Sequence, residues 1–448
     1  MDSSKFALYS RQVVLPDSIG AYSILINQGK IQDIVQGPYL SDDYPIVDYE
    51  DAVIMPGMID PHVHINEPGR TEWEGFDSGC TAAAAGGITT LVEMPLNASP
   101  VTTTTEALRL KLAAAASKTH IHCGFYGGIV PGNNHELQAL SAAGVIGFKA
   151  FLTHSGIDEF PNVDEATLKA AYQTLKGSSL PILAHCELES GQHDSYLQKE
   201  KGNYQAYLAS RPKQWENDAV ALMIDLARFY QHPTHIVHLS SAQALPLIRS
   251  AKASSVPLTV ETCPHYLYFN AEDIPNKDTR FKCAPPIREK ENNERLWEAV
   301  LDGSIDFIGS DHSPAPPSIK ALDSGNLLDA WGGISAIQYS LPALWTKGQK
   351  FGLKLEDIRR LCCEAPAAFI GYEASKGRLA KGYDADIVVW QANQFFDVTR
   401  SNILARHKLS PYENQQLQGQ VVATYIKGTK VFEPTKLVAR NCGDLLRL

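Results

Sequence analysis

The sequence predicts a barrel of eight parallel strands, each followed by helical chain, with a small composite β-sandwich built from both chain ends. Three observations predict it. Between residues 57 and 312, short β-rich apolar runs alternate with helical patterns, and there are eight such runs, the number a closed parallel barrel of this size requires. Both ends carry alternating β-type runs broken by Gly- and Asp-containing turns. No G-x-G-x-x-G opens a helix, so the runner-up, an open doubly wound sheet, lacks its usual signature. A chain of 448 residues exceeds the usual single-domain size, and one large domain plus a smaller one is expected. The boundaries read as 1–55 with 377–448 for the sandwich and 56–376 for the barrel.

In chain order, "YSRQVVL", "AYSILINQGKIQDIVQG" and "YEDAVIMPG" read as antiparallel strands joined by turns. The barrel runs follow: "GMIDPHVHI" at 57, "GITTLVEMP" at 87, "HIHCGFYGG" at 120, "VIGFKAFL" at 145, "LPILAHCE" at 180, "THIVHLSS" at 234, "VPLTVETC" at 256 and "IDFIGSDH" at 305. Helical stretches between them include "TTEALRLKLAAAASK", "EATLKAAYQTLK", "ENDAVALMIDLARFY" and "NNERLWEAVL", whose apolar residues recur at three- and four-residue spacing. The strands "GRLAKGYDADIVVWQ" and "QGQVVATYIKGTKVFE" close the chain. They are expected to pair with the N-terminal strands, with no flexible linker between.

Composition narrows the function classes. Hydrophobic residues at 44% and charged residues at 20% are ordinary globular values, neither disordered nor repetitive. A formal charge of -10 disfavours nucleic acid or an anionic membrane as partner and leaves small molecules. The eight cysteines are scattered, and the adjacent Cys362 and Cys363 cannot form an ordinary bridge, which suits a reducing compartment. No segment approaches the roughly 18 apolar residues of a membrane helix, and the N-terminus lacks an apolar leader. The terminal "LRL" is a poor relative of a peroxisomal Ser-Lys-Leu signal. A cytoplasmic protein is the expectation.

The chemistry concentrates in "HVH". Side chains at i and i+2 of a strand share one face, so His62 and His64 project together. Catalytic groups of a parallel barrel sit at the C-terminal strand ends. There the sequence places Lys149 in "GFKAFL", His185 in "PILAH", His238 in "THIVH" and Asp311 in "IDFIGSD". Taken singly, each has a plain alternative: a snorkelling lysine, core histidines with satisfied nitrogens, an aspartate capping the next segment. Taken together on one barrel mouth, chance is the poorer reading. Imidazoles and carboxylates suit zinc or another borderline divalent cation. An ammonium cannot ligate, but a lysine deprotonated by burial and nearby cations can add carbon dioxide, and the resulting carbamate can bridge two ions. Asn97 in "MPLN" is as readily a turn former as a substrate contact. His312 reads as support rather than ligand, and His120, His122, His232 and His235 as serving structure or facing solvent.

These residues resemble the amidohydrolase superfamily, specifically its cyclic-amide branch of dihydroorotases, hydantoinases and allantoinases. The resemblance spans essentially the whole chain. Its best match is to the allantoinases, through "HINEPGRTEWEGF", "EMPLN", "GFKAFLTHSGIDEFP", "AHCE", "HIVHLSS", "ETCPHYL", "KCAPPIR", "GSDHSP", "WGGI" and "KLSPY". It implies two divalent metal ions per chain, zinc by preference, with His62 and His64 on one, His185 and His238 on the other, Lys149 as carbamate bridge and Asp311 as ligand and base. It also implies ring opening of allantoin to allantoate in purine catabolism, and a homo-oligomer, commonly a tetramer. Two neighbours depart from the pattern: Ala284 and Ala315 stand where allantoinases usually or often carry cysteine. Dihydroorotases typically place a carboxylate-binding arginine where this chain has Asn66, and a neutral amide cannot neutralise a carboxylate. Arg70 is the one nearby cation, beyond a Pro-Gly turn. Hydantoinases tend to carry a tyrosine after the bridging lysine; "KAFLTHSG" has none and offers Thr153, His154 and Ser155. Asn66, Asn97 and Ser155 are therefore the candidate substrate contacts. The competing class is a non-catalytic scaffold homologue, which usually shows eroded ligands; all six are retained here.

Overall fold

A computed structural model describes residues 5–191, 198–434 and 436–448. All eight predicted barrel strands form: β6 (Met58–Val63), β7 (Ile88–Glu93), β8 (His122–Phe125), β10 (Phe148–Phe151), β11 (Ile182–His185), β12 (Thr234–Ile236), β13 (Leu258–Thr262) and β14 (Phe307–Ile308), with β9 (Gly127–Gly128) continuing β8. They pair in parallel as β6-β7-β8 and β9-β10-β11-β12-β13-β14. Ile146 N–H donates to Phe125 O at 2.9 Å and joins the two groups. On the other side Val63 bridges His312 in parallel, and His64 N–H donates to His312 O at 2.8 Å. The ring is closed, which rules out the open sheet.

The barrel strands are buried almost throughout, as expected where helices cover the outer face of a parallel sheet. The predicted helices surround them at Thr105–Ala115, Glu165–Thr174, Lys213–Tyr230 and Lys290–Leu301. Their starts follow side-chain chemistry. Thr104 accepts a hydrogen bond from Ala107 N and Asp164 one from Thr167 N, each satisfying a donor that the first turn leaves free.

The chain ends meet as foreseen. Strands β1 (Lys5–Val14), β2 (Ile19–Asn27), β3 (Lys30–Gln36), β4 (Ile46–Asp48) and β5 (Val53–Pro56) join β15 (Ile387–Asp397), β16 (Gln416–Ile426), β17 (Thr429–Glu433) and β18 (Lys436–Leu437). The result is one hydrogen-bonded sheet with β5 as the seam, parallel to β1 and antiparallel to β15. Its two wings face each other across a core of Leu8, Ile24, Ile54, Ile387, Val389 and Ala423, so a single sheet folded on itself makes the composite sandwich. Beyond it the tail returns to the barrel: Cys123 N–H donates to Asp444 O and Leu446 N–H to Cys123 O. Leu446 packs with Ile59, Val92, Ile146 and Leu183 in the barrel interior. All eight cysteines are free thiols. Among the described residues no helix is long and apolar enough to cross a membrane.

Candidate metal centre

The six predicted ligand-type residues lie on or just beyond five barrel strands: His62 and His64 at β6, Lys149 in β10, His185 ending β11, His238 after β12 and Asp311 after β14. All six side chains are buried. His62, His238 and Asp311 each bring one ligand atom to within 4.8 Å of the others. Asp311 Oδ1 lies 3.3 Å from His62 Nε2 and 3.4 Å from His64 Nε2. The His185 ring sits 4.6 Å from that of His238 and stacks on Phe151 at 4.5 Å. Lys149 Nζ faces the same Phe151 ring at 5.0 Å.

Two carboxylates outside the predicted set orient the imidazoles. Glu261, on β13, meets His62 Nδ1 and lies 3.4 Å from His235 Nε2. Glu187 accepts from His185 Nε2 at 2.7 Å and is in turn held by Arg211. A carboxylate on one ring nitrogen fixes the tautomer and leaves the other nitrogen as acceptor, the arrangement that supports a metal-binding histidine. Gly309 makes room for it, because a Cβ there would lie 2.7 Å from Glu261 Oε2 and 3.0 Å from His62 Cβ. Both glutamates sit inside strings singled out for other reasons, "VETC" and "AHCE". A carboxylate in a buried strand was the available signal.

The electrostatics suit a cation. Burial lowers the pKa of His64 and His185, and lowers that of His238 further, with His185 and Lys149 adding to it. Burial thus favours the neutral, ligating form of all three imidazoles. Burial pushes Asp311 up, but His62 and His64 outweigh it and bring its carboxyl down to about 2. Glu187 and Glu261 are held below the usual carboxylate range against burial, the first by Arg211 and His185, the second by His62 and His235. Burial lowers Lys149 to about 8, and its Nζ has no hydrogen-bond partner among the described residues. An orphaned buried amine beside four imidazoles and a carboxylate fits the carbamate-bridged pair of divalent ions: addition of carbon dioxide turns an unpaired donor into an anion that cations can satisfy.

Five of the six, all but Lys149, border a cavity of about 270 Å³; Tyr207, Arg211, Lys282, Ala284 and Trp331 complete much of the wall. The candidate substrate contacts divide. Asn97 lines the cavity, with its amide nitrogen 3.4 Å from His64 Nδ1 and its Oδ1 unpartnered. The reverse amide orientation gives Oδ1 the His64 Nδ1–H and frees Nε2. Ser155 also lines it, but its hydroxyl donates to Phe160 O at 2.6 Å. Asn66 is fully buried outside the lining and donates to Pro314 O at 3.3 Å. Arg70 turns away to Asn97 O and Glu159. Tyr207 supplies a cavity tyrosine from another part of the chain, its hydroxyl donating to Cys283 O at 2.7 Å. Of the two departures, Ala284 lines the cavity, whereas Ala315 is buried outside its lining. His312 is structural: Nδ1 accepts from Ala336 N at 3.2 Å.

Comparison with known proteins agrees with this geometry. The chain is 43% identical to a probable allantoinase of Oryza sativa subsp. japonica over 98% of its own length and 90% of the relative's. It is 41% identical to the allantoinase of Arabidopsis thaliana (97% and 90%) and to that of Saccharomyces cerevisiae (92% of each). Among solved structures, the L-hydantoinase of Arthrobacter aurescens superposes with a TM-score of 0.92 at 30% identity, over 99% of this chain and 100% of the other. The family model for the amidohydrolases matches residues 53–431, and the chain belongs to the amidohydrolase family.

Proposed function

We propose that this chain hydrolyses allantoin to allantoate with a pair of divalent ions at the barrel mouth. The observation that carries the reading is the convergence of four imidazoles and Asp311 on one small cavity, with the buried Lys149, whose Nζ has no hydrogen-bond partner among the described residues, just outside its lining. His62 and His64 would hold one ion and His185 and His238 the other. Lys149 would bridge them as a carbamate, formed as an Nζ–C bond to carbon dioxide with loss of a proton, and Asp311 would complete the set. Zinc is the metal this donor set favours. When bound, such ions acidify a water toward neutral pH and polarise the carbonyl under attack. Asp311 takes the proton that water loses as its oxygen bonds to the ring carbonyl carbon, and delivers it to the ring nitrogen as the C–N bond breaks. Full-length likeness to allantoinases supports the substrate. We further place the protein in the cytoplasm as a homo-oligomer, with a tetramer as the expectation, and divide it at 1–55 with 377–448 and 56–376.

Elemental analysis of chelator-free protein, with a panel of allantoin, dihydroorotate, hydantoin and dihydrouracil, tests the reading. About two ions per chain are expected. Both cations lining the cavity are engaged, Arg211 with Glu187 and Lys282 with backbone carbonyls, and a carboxylate entering there would lose its hydration. Allantoin should exceed dihydroorotate by at least about a hundredfold in kcat/KM. Comparable efficiencies would overturn the substrate, and preference for hydantoin would favour the second reading suggested by the structural neighbours.

A further inference from the structure

One wall of the cavity comes from the segment after Asp311: Ser313, Asp329, Ala330, Trp331, Gly332 and Gly333 line it. Lys320, in the middle of that segment, is buried, and its Nζ donates to Gly333 O at 2.8 Å, Trp331 O at 3.0 Å and Lys282 O at 3.4 Å. No carboxylate among the described residues lies within ion-pair distance of it. The same strands of chain are joined by Gly333 N–H donating to Lys282 O at 2.8 Å and Trp331 N–H to Ile319 O at 2.7 Å. Gly333, at φ 154°, presses so close that a Cβ would sit 2.2 Å from Ser313 O. At the outer edge the Trp331 ring meets Trp73 at 4.8 Å.

We infer that Lys320 is a positioning residue that latches this wall: residues 314–333 close over the cavity by drawing Lys320 Nζ out of water onto three backbone carbonyls, and local opening returns it to water. The electrostatics give the latch a sign. Burial lowers Lys320 to about 7, with neighbouring Lys282 pushing the same way and Cys283 and Asp278 opposing. Lys282, lowered by burial and Arg211 against Asp329, reaches about 8. An opened Lys320 would titrate near the ordinary lysine value of about 10.4. Between these values the open segment binds more protons than the closed one, so rising pH favours closure, and below about 7 the dependence ends. The ammonium can donate to all three carbonyls; the neutral amine keeps the two shorter bonds, to Gly333 O and Trp331 O, and gives up the longest, to Lys282 O.

Amide exchange of peptides covering 314–333, corrected for intrinsic rates and compared between pH 7 and 9, tests the latch without reference to substrate. Protection should rise by at least about tenfold over that interval from Lys320 alone, and further where Lys282 opens with it, and strands such as β5 and β16 should not share the rise. Lys320→Met should lose at least about tenfold of it, the remainder belonging to Lys282. If Lys320→Met does not fold, Lys320→Arg, which cannot shed its proton, takes its place with the same expectation. A flat wild-type profile, an equal rise throughout the chain, or a rise unchanged in the variants would overturn the inference. On the function proposed above, KM for allantoin should fall over the same interval with kcat moving less. If protection responds to pH and allantoin is not hydrolysed, the latch stands and the substrate reading fails.

Discussion

The folded terminal sheet and the barrel mouth follow opposite rules. In the sheet, Ile54, Ile387 and Val389 are fully buried among other apolar side chains, and the Tyr49 and Tyr425 hydroxyls pair at 2.6 Å where the wings meet. Local preference and global packing agree there. At the mouth, imidazoles, carboxylates and an amine are buried together, and Lys149 Nζ, His238 Nδ1 and Asn97 Oδ1 lack hydrogen-bond partners among the described residues. Asn66, Asn97, His238 and Asp311, on or near the ligand-bearing strand ends, have left-handed φ between 39° and 72°, where side chains beyond glycine cost free energy, as do Gln28, Glu50 and Lys427 at turns of the sheet. A fold of this size can hold such a region because the rest of the chain determines its shape. The lesson is that stability and chemistry are carried by different residues, and they should separate experimentally.

The largest separation is expected at Lys149. Lys149→Ala removes the buried amine without touching the sheet, and should abolish ring opening and reduce metal content while leaving thermal unfolding cooperative. Acetate or propionate should restore part of the activity, since a small carboxylate can stand where a carbamate stood. Full activity with one ion per chain would remove the bridging role. Asp311→Asn follows. It keeps the shape and one oxygen but no longer accepts a proton, so turnover should fall by about 10²–10⁴, with metal content falling less than in His62→Ala. Near wild-type turnover would move the base elsewhere.

How much of this contrast was legible in the sequence follows from the same physics. Strand periodicity exposed all eight barrel strands and both ends of the sheet, because a buried parallel strand and a half-buried antiparallel one leave different apolar patterns. The i, i+2 spacing of His62 and His64 and the strand-end positions of Lys149, His185, His238 and Asp311 exposed their convergence. Glu261 and Glu187 escaped because a carboxylate that orients an imidazole has no spacing rule; only folding brings Glu261 from β13 to His62 on β6. Lys320 escaped for the same reason, its partners being backbone carbonyls from two segments. Asn66 shows the converse case. Its position beside "HVH" suggested a substrate contact, yet the left-handed turn at φ 66° goes with a side chain that lies outside the cavity lining and bonds to Pro314 O.

Glu261→Gln tests whether that unforeseen carboxylate belongs to the mouth. The amide keeps size and burial but offers one acceptor instead of two and carries no charge, so the His62 tautomer is less firmly set. Metal affinity should weaken by about 10–100-fold, read by competition with a chelator, and excess metal should recover much of the activity. Unchanged affinity would make Glu261 a packing group like those of the sheet.

The smallest effect is expected on the other side of the comparison. Ile54, fully buried in β5, belongs to the apolar core of the sheet. Ile54→Val removes one methylene from a close-packed site and should cost about 0.5–1.5 kcal/mol, measured as a shift of the denaturation midpoint at unchanged m-value. Because β5 runs directly into β6, which carries His62, this is also the strictest place to ask whether strain passes from sheet to mouth. Metal content and kcat should stay at wild-type values. If either falls with so small a loss of stability, the two regions are coupled through the β5–β6 junction and cannot be treated as separate carriers of stability and chemistry.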